Sequence, residues 1–430
     1  MKIVAHMPLV VRYYAVIPIV NAGLGNVLEE RLAGLNMFCV KHPENCGAWK
    51  AVARRCNVAV ILVACLLAAC ISRPQESEAI RTQIPQEAVD PDYVPELPGD
   101  TPVVSNDNKH TILALSAGGA DGAYGAGVLA GWTAKGTRPS FDVVTGVSTG
   151  ALLAVMAFLG PEYDELTRQL YTTQTNASIF RSRGIGGLFG DSLYDNAPFK
   201  AQIERYITKQ VIDKVASEHD KGRRLYIATT NLDAGELVIW DMGRIAKGGR
   251  SNPLQHFQKV LRASASVPGF FKPVYIKPQR GVQLRQAHVD GGVKEPILFA
   301  DFMGASALPE KHLYMIINGT TRRYNASTPV EANLASIAQK TIAELMRELQ
   351  RDKIYRHYTV ARNSGIDFRL TSIPDSIPIS QESLDFDIVR MRQLYDAGFA
   401  AGQRGPDQWP DRPPTSRLPS RASAVSSLQQ

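Results

Sequence analysis

Gly146-Val147-Ser148-Thr149-Gly150 separates the apolar run Phe141-Asp142-Val143-Val144-Thr145 from a second apolar run at residues 151–159, and no other stretch constrains the chain so tightly. The first run reads as a buried strand and the second as a helix, so the residues between them must turn the backbone sharply. Gly146 and Gly150 remove the Cβ atoms that would obstruct a close approach of strand and helix. Such a turn lifts a hydroxyl out at a helix N-terminus, where N–H groups and the positive dipole end favour negative charge. Ser148 is therefore a candidate nucleophile.

The surrounding pattern repeats this alternation. Strands are expected at residues 111–115 and 142–146, with helices at 123–135, 149–159 and 163–173. Strand-helix alternation implies an α/β fold with a parallel sheet. A hairpin is expected at 224–230 and 236–241, turned by Asp233-Ala234-Gly235. Beyond it come a strand at 312–317, a long helix near 331–362, a strand at 366–373 and a helix at 384–403. Phe386, Val389, Leu394 and Phe399 of that last helix are expected to pack in the core. Trp132, Trp240 and Trp409 call for no special role.

Two further stretches carry chemistry. Ser116-Ala117-Gly118-Gly119-Ala120-Asp121-Gly122 lies between a strand and a helix. Its glycines let backbone N–H groups converge, either on a phosphate or on the oxyanion of a tetrahedral intermediate. No Lys follows at P-loop spacing, which weighs against a nucleotide. His288-Val289-Asp290-Gly291-Gly292 ends a short apolar segment with a carboxylate before two glycines. By itself that is a turn in which Asp bonds its own backbone.

In this order, the glycine-rich loop, the GxSxG turn and the distal Asp-Gly-Gly resemble the patatin-like phospholipase family over about residues 110 to 404. Ala263-Ser264-Ala265-Ser266-Val267-Pro268-Gly269-Phe270-Phe271 and Ile227-Ala228-Thr229-Thr230-Asn231-Leu232-Asp233 are similar to further family segments. The resemblance implies a three-layer α/β/α sandwich with a mainly parallel central sheet. It implies a lipid acyl hydrolase of the phospholipase A or lysophospholipase type, acting on carboxylic esters through a Ser-Asp dyad. Ser148 is then the nucleophile and Asp290 the base, with Gly146, Gly150 and Gly291 as motif glycines. The amides of Gly118, Gly119 and Ala120 form the oxyanion hole. The scheme needs no cofactor and no metal. The chain departs from the family at Asp121, where a basic residue is usual, and at Ala117, where a third glycine is usual. An acid beside a developing oxyanion is unfavourable, so Asp121 is expected to face solvent or to pair with a base.

Two rivals remain. In an α/β-hydrolase-type esterase, Ser148 would share a Ser-His-Asp triad with His312 or His357. Alternatively the fold is kept in a non-catalytic surface lipoprotein. His288, two residues before Asp290, is either a supporting group or a strand neighbour. Arg181-Ser182-Arg183-Gly184-Ile185-Gly186-Gly187-Leu188-Phe189-Gly190 is a surface loop or a lipid-facing flap.

The net charge of +7 is concentrated at the start, because residues 1–56 hold seven Lys or Arg against three Glu. The remainder carries only +3 and no basic block interleaved with aromatics, so nothing argues for nucleic acid. All five cysteines lie in the first 70 residues. Arg54-Arg55 followed by an apolar run ending Leu67-Ala68-Ala69-Cys70 reads as a lipoprotein-type signal at residues 51–70, with Cys70 as the lipidation site. That implies anchoring to a membrane surface in the bacterial cell envelope, at the outer membrane. Residues 1–50 then read as an unstructured extension or a mis-assigned start, with translation beginning near Met37 or Val52; peptides from residues 1–36 in the cell-derived protein would exclude the latter. Residues 71–108 read as a Pro-rich tether, 109–405 as the hydrolase domain and 406–430 as a disordered tail.

Overall fold

Eight strands form one mixed sheet, and the ten helices among the described residues cover it. A computed structural model describes residues 108–184, 190–248, 252–277, 285–322, 329–377 and 384–414. All belong to the second of two compact units, residues 74–430. The expected signal with Cys70, most of the expected tether, residues 185–189 and the expected tail beyond residue 414 lie outside the described residues.

The strands are β1 (Lys109–Leu115), β2 (Val143–Gly146), β3 (Arg181–Ser182), β4 (Tyr194–Asp195), β5 (Arg224–Asn231), β6 (Glu236–Asp241), β7 (Val274–Ile276), β8 (Gln286–Asp290), β9 (Glu310–Ile317) and β10 (Asp367–Ser372). In the main sheet the order is β10-β9-β1-β2-β5-β8-β7, with β6 also on β5, while β3 and β4 form a separate ladder. From β10 to β5 all pairs are parallel, and β6, β7 and β8 add antiparallel.

The helices are α1 (Gly122–Lys135), α2 (Thr149–Leu159), α3 (Asp164–Thr172), α4 (Asn176–Ile179), α5 (Ala197–Tyr206), α6 (Lys209–Asp220), α7 (Met242–Lys247), α8 (Pro253–Ser264), α9 (Leu334–Asn363) and α10 (Ile388–Arg404). Both sheet faces are buried, which is why the parallel strands read as continuous apolar runs. Leu113, Leu115, Val144 and Ile227 face a core shared with α1, α2, α6, α8 and α10. Ile112, Ala114, Val143 and Ala228 face a second core that includes Ile354 and Ala361 of α9 and the 297–303 segment. The result is the expected three-layer α/β/α sandwich.

α1 and α10 cross at backbone contact. A Cβ on Gly127 would lie 2.0 Å from the Tyr395 carbonyl oxygen, and one on Gly398 2.1 Å from that of Tyr124. Only glycine permits so close an approach, which sets α10 firmly beside the glycine-rich loop that opens α1.

Two expectations need correction. The final helix begins at Ile388, not 384, so Phe386 precedes it, and Val389 is exposed where core packing was expected. The chain also stays packed beyond Gly405. Trp409 is buried edge-on against Trp132, its indole N–H bonds the Ala401 carbonyl, and Pro410 accepts from the Leu370 amide.

Candidate active site

The pairing of β5 explains how two distant turns meet. β2 lies along one edge of β5, with Gly146 opposite Ile227, and β8 lies antiparallel with Asp290 opposite Thr229. β6 occupies the other edge over the same residues. β2 and β8 therefore approach each other end to end on a single edge, and the residues just past their ends share the gap. A Cβ on Gly291 would lie 2.5 Å from the Ala228 carbonyl oxygen and 2.9 Å from Val147. Residues leaving the carboxyl ends of parallel strands commonly line the crevice of an α/β sheet. Ser116 follows β1, Ser148 follows β2 and Asn318 follows β9.

The turn at Ser148 is strained. Its φ of 57° and ψ of −123° lie in a region that L-residues rarely adopt. A Cβ on Gly150 would sit 2.4 Å from the Leu115 carbonyl oxygen, which accounts for the glycine expected there. Ser148 is the N-cap of α2, yet its side chain makes no capping bond, so its hydroxyl is not spent on the helix. The Ser148 N–H donates instead to the buried Ser264 Oγ at 3.0 Å. Two residues on, the Ser266 carbonyl accepts from the Asp290 N–H at 2.9 Å. One short segment thus holds both turns. The segment stood out in the sequence, but nothing local to it revealed this double bond.

Asp290 is fully buried, and its oxygens have different tasks. Oδ1 accepts from the Gly292 N–H at 2.7 Å, the local turn expected of Asp-Gly-Gly. Oδ2 closes no hydrogen bond of good geometry. Burial pushes the carboxyl up to about 7, against the smaller opposing influence of the Ser148 hydroxyl and the Gly292 N–H. Serine and carboxylate are thus near neighbours, close enough for the hydroxyl to act on the carboxyl. His288 is a supporting group on the strand. It bonds Thr229 Oγ1 at 3.0 Å, which also accepts from Trp240, and burial lowers its pKa to about 4.

In the glycine-rich loop, Gly118 and Gly119 border the crevice, whereas Ala120 is buried and lines neither cavity described below. The first N–H groups of a helical turn have no partner within it, and Gly119 and Ala120 open the turn Gly119–Asp121. Asn318 ties the loop down from β9. Its amide donates to the Ser116 carbonyl at 2.8 Å and accepts from the Gly125 N–H at 3.1 Å. Sequence reading missed Asn318, whose only signal is its place just past a parallel strand. Asp121 does pair with a base, since Arg390 of α10 donates to its Oδ1 at 2.6 Å. Both side chains are largely buried, and burial still outweighs Arg390, raising the Asp121 carboxyl to about 6.

Two cavities share Ser148, Gly119, Val267 and Leu384. The first, about 100 Å³, is walled mainly by apolar side chains, among them Leu152, Met156, Ile203, Phe271 and Phe386. The second, about 90 Å³, is lined by residues that include Asp290, Asn318, Thr320, Arg347, Gln350 and Arg351. Neither His312 nor His357 lines either one. His312 bonds Asp367 at 3.2 Å, and His357 bonds Glu295 at 2.9 Å, so both have structural partners elsewhere.

The chain is similar to several known proteins. The "cUMP-AMP-activated phospholipase" of Escherichia coli is 46% identical over 217 residues, 48% of this chain and 62% of that protein. "Uncharacterized protein R571" of Acanthamoeba polyphaga mimivirus is 27% identical over 179 residues, 40% of this chain and 57% of that one. The chain thus spans about three-fifths of the length of these relatives. The crystal structure of VipD from Legionella pneumophila aligns with a TM-score of 0.36 and 12% identity, covering 69% of this chain and 66% of that one. Residues 113–303, which run from β1 past Asp290, match the family model described as "Patatin-like phospholipase".

Proposed function

We propose that this chain is a lipid acyl hydrolase of the phospholipase A or lysophospholipase type, working through Ser148 and Asp290. The observation that carries the reading is the meeting of a strained serine and a buried, partner-poor carboxylate on one edge of β5. Ser148 Oγ attacks the ester carbonyl while Asp290 Oδ2 takes its proton, forming a tetrahedral oxyanion. The N–H groups of Gly118 and Gly119 receive that charge, and loss of one such donor typically costs about 3 kcal/mol of transition-state stabilisation. Collapse expels the alcohol, which takes the proton from Asp290. Water, deprotonated by the same carboxylate, then cleaves the acyl-enzyme.

A carboxyl raised to about 7 suits this task, because a base works best with a pKa near the working pH. The apolar cavity beside Ser148 supports a fatty acyl group as the part retained on the enzyme. The test is fatty acid release from mixed phospholipid vesicles, followed by mass spectrometry for the wild type and for Ser148→Ala. Release by the wild type alone is expected. Equal release by the variant, or none by either, overturns the reading.

A further inference from the structure

The two cavities that meet at Ser148 differ in polarity, and that difference orients a substrate. An ester held at Ser148 has an acyl side and an alcohol side. If the acyl chain occupies the apolar cavity, the alcohol must enter the other. That second cavity is bordered by one face of α9, where Ala343, Met346, Arg347, Gln350 and Arg351 follow the 3-and-4 spacing of a helix stripe. The stripe lies against the site. A Cβ on Gly292 would meet Met346 at 2.5 Å, and one on Gly319 would meet Gln350 at 3.3 Å.

We infer that this cavity is the subsite for the phosphodiester of a phospholipid leaving group, with Arg347 and Arg351 as its anion-binding residues. The inference rests on the lipid acyl hydrolysis proposed above. Both arginines line the cavity, and their side chains are 26% and 15% exposed. Arg347 Nη1 donates to Glu344 at 2.6 Å, while Arg351 donates through Nε and Nη2 to Glu348 and through Nη1 to the Arg322 carbonyl, each carboxylate lying three residues earlier on the helix. Glu344 and Glu348 do not line the cavity, so its wall holds the two arginines without their carboxylate partners, with which a bound diester would share the guanidinium groups. Asp121, the other acid at this wall besides the base, is paired with Arg390, and Arg347 acts on it more weakly. Thr320, Gln350 and Asn318 add uncharged polar groups. Guanidinium forks match the oxygen geometry of a phosphate, and two of them at successive turns favour an anionic diester over a neutral alcohol.

The test compares Arg347→Gln/Arg351→Gln with wild type on phosphatidylglycerol in mixed micelles and on 4-nitrophenyl butyrate. The expected result is a kcat/KM on the phospholipid that falls at least tenfold further than on the neutral ester. Equal falls on both would mean a structural role, and no fall on the phospholipid would mean no role; either overturns the inference. Arg347→Lys/Arg351→Lys, which keeps charge but loses the forks, is expected to fall between the two. A second arm needs no turnover. Binding of glycerophosphoglycerol to Ser148→Ala, followed by calorimetry, is expected to weaken at least tenfold when both arginines become Gln. Absence of binding to Ser148→Ala, or inorganic phosphate binding as tightly as the diester, overturns the head-group assignment even if the hydrolase reading stands. Failure of the wild type to release fatty acid while this binding persists would fault that reading instead.

Discussion

The turn at Ser148 and the turn at Asp290 meet on the same edge of β5 but hold their energy in different forms. At Ser148 the backbone is strained, with φ at 57°, while the side chain carries no charge. At Asp290 the backbone is ordinary, with φ at −48° and ψ at 130°, but a carboxyl sits fully buried with one oxygen unpaired. The first turn stores conformational energy and the second stores electrostatic energy. Each is upheld by the segment at Ser264 and Ser266, which lies between them and bonds both. Active sites tolerate such costs where the surrounding structure over-determines the geometry.

The electrostatic half gives the largest expected effect. Asp290→Asn removes the base but keeps the shape and an acceptor for Gly292, so fatty acid release should fall by on the order of a thousandfold or more. Stability should move the other way. The folded-state pKa of about 7 lies above the ordinary aspartate value of 3.8, so between these values the folded protein holds the extra proton. The group's contribution to stability is thus full below about pH 4 and is lost as pH rises through 7. Asn mimics the protonated form, so the variant should melt on the order of 5 °C above wild type at pH 8, with the gap closing towards pH 5. In the wild type, kcat/KM should rise with pH to half its plateau near 7. A variant no more stable than wild type at pH 8 would remove the electrostatic side of the comparison.

The shared bracket gives the middle effect. Ser264→Ala leaves the Ser148 N–H buried without its acceptor, which costs roughly 1–3 kcal/mol. It also frees the strained turn to relax, so kcat should drop about tenfold with KM little changed, while the pH midpoint set by Asp290 stays near 7. Ser266→Ala should cost less, because Asp290 is held by the Ser266 backbone carbonyl and the Ser266 hydroxyl bonds Arg262 instead. Equal falls in both variants, or a shifted midpoint in Ser264→Ala, would show that the bracket acts on the two turns without distinction.

What could be read in the sequence followed how local each cause is. α2 runs over Thr149–Leu159 as expected, because glycines punctuate both of its ends and its apolar run is unbroken. The hairpin of β5 and β6 was legible from Asp233-Ala234-Gly235 for the same reason. α5, α6 and α8 were not anticipated, since their sequences are mixed and largely polar, although Pro198, Thr208 and Asn252-Pro253 mark their starts. The partner of Asp121 lies 269 residues away on α10, and that of Ser148 lies 116 residues away. The expectation that Asp121 would pair rested on charge, and no spacing could name Arg390. Likewise the end-to-end meeting of β2 and β8 depends on the register of β5 with three strands, which no single segment encodes.

The conformational half gives the smallest effect and is the one most open to direct measurement. Both Ser148→Ala and Ser148→Gly remove the nucleophile, so both should be inactive, and their difference isolates the backbone. Alanine keeps the Cβ that makes φ of 57° unfavourable, at a cost of about 1–3 kcal/mol, whereas glycine does not. Glycine in turn loses roughly 0.5–1 kcal/mol through the greater freedom of its unfolded chain. The net expectation is that Ser148→Gly is more stable than Ser148→Ala by about 1 kcal/mol, read as a higher urea midpoint at unchanged slope. Because both variants remove the same hydroxyl from beside Asp290 and leave that carboxyl buried, this gap should be the same at pH 5.5 and pH 8, unlike that of Asp290→Asn. A gap that tracks pH would mean that the strain at Ser148 and the buried charge at Asp290 are one coupled device, and the two turns could no longer be treated as separate stores.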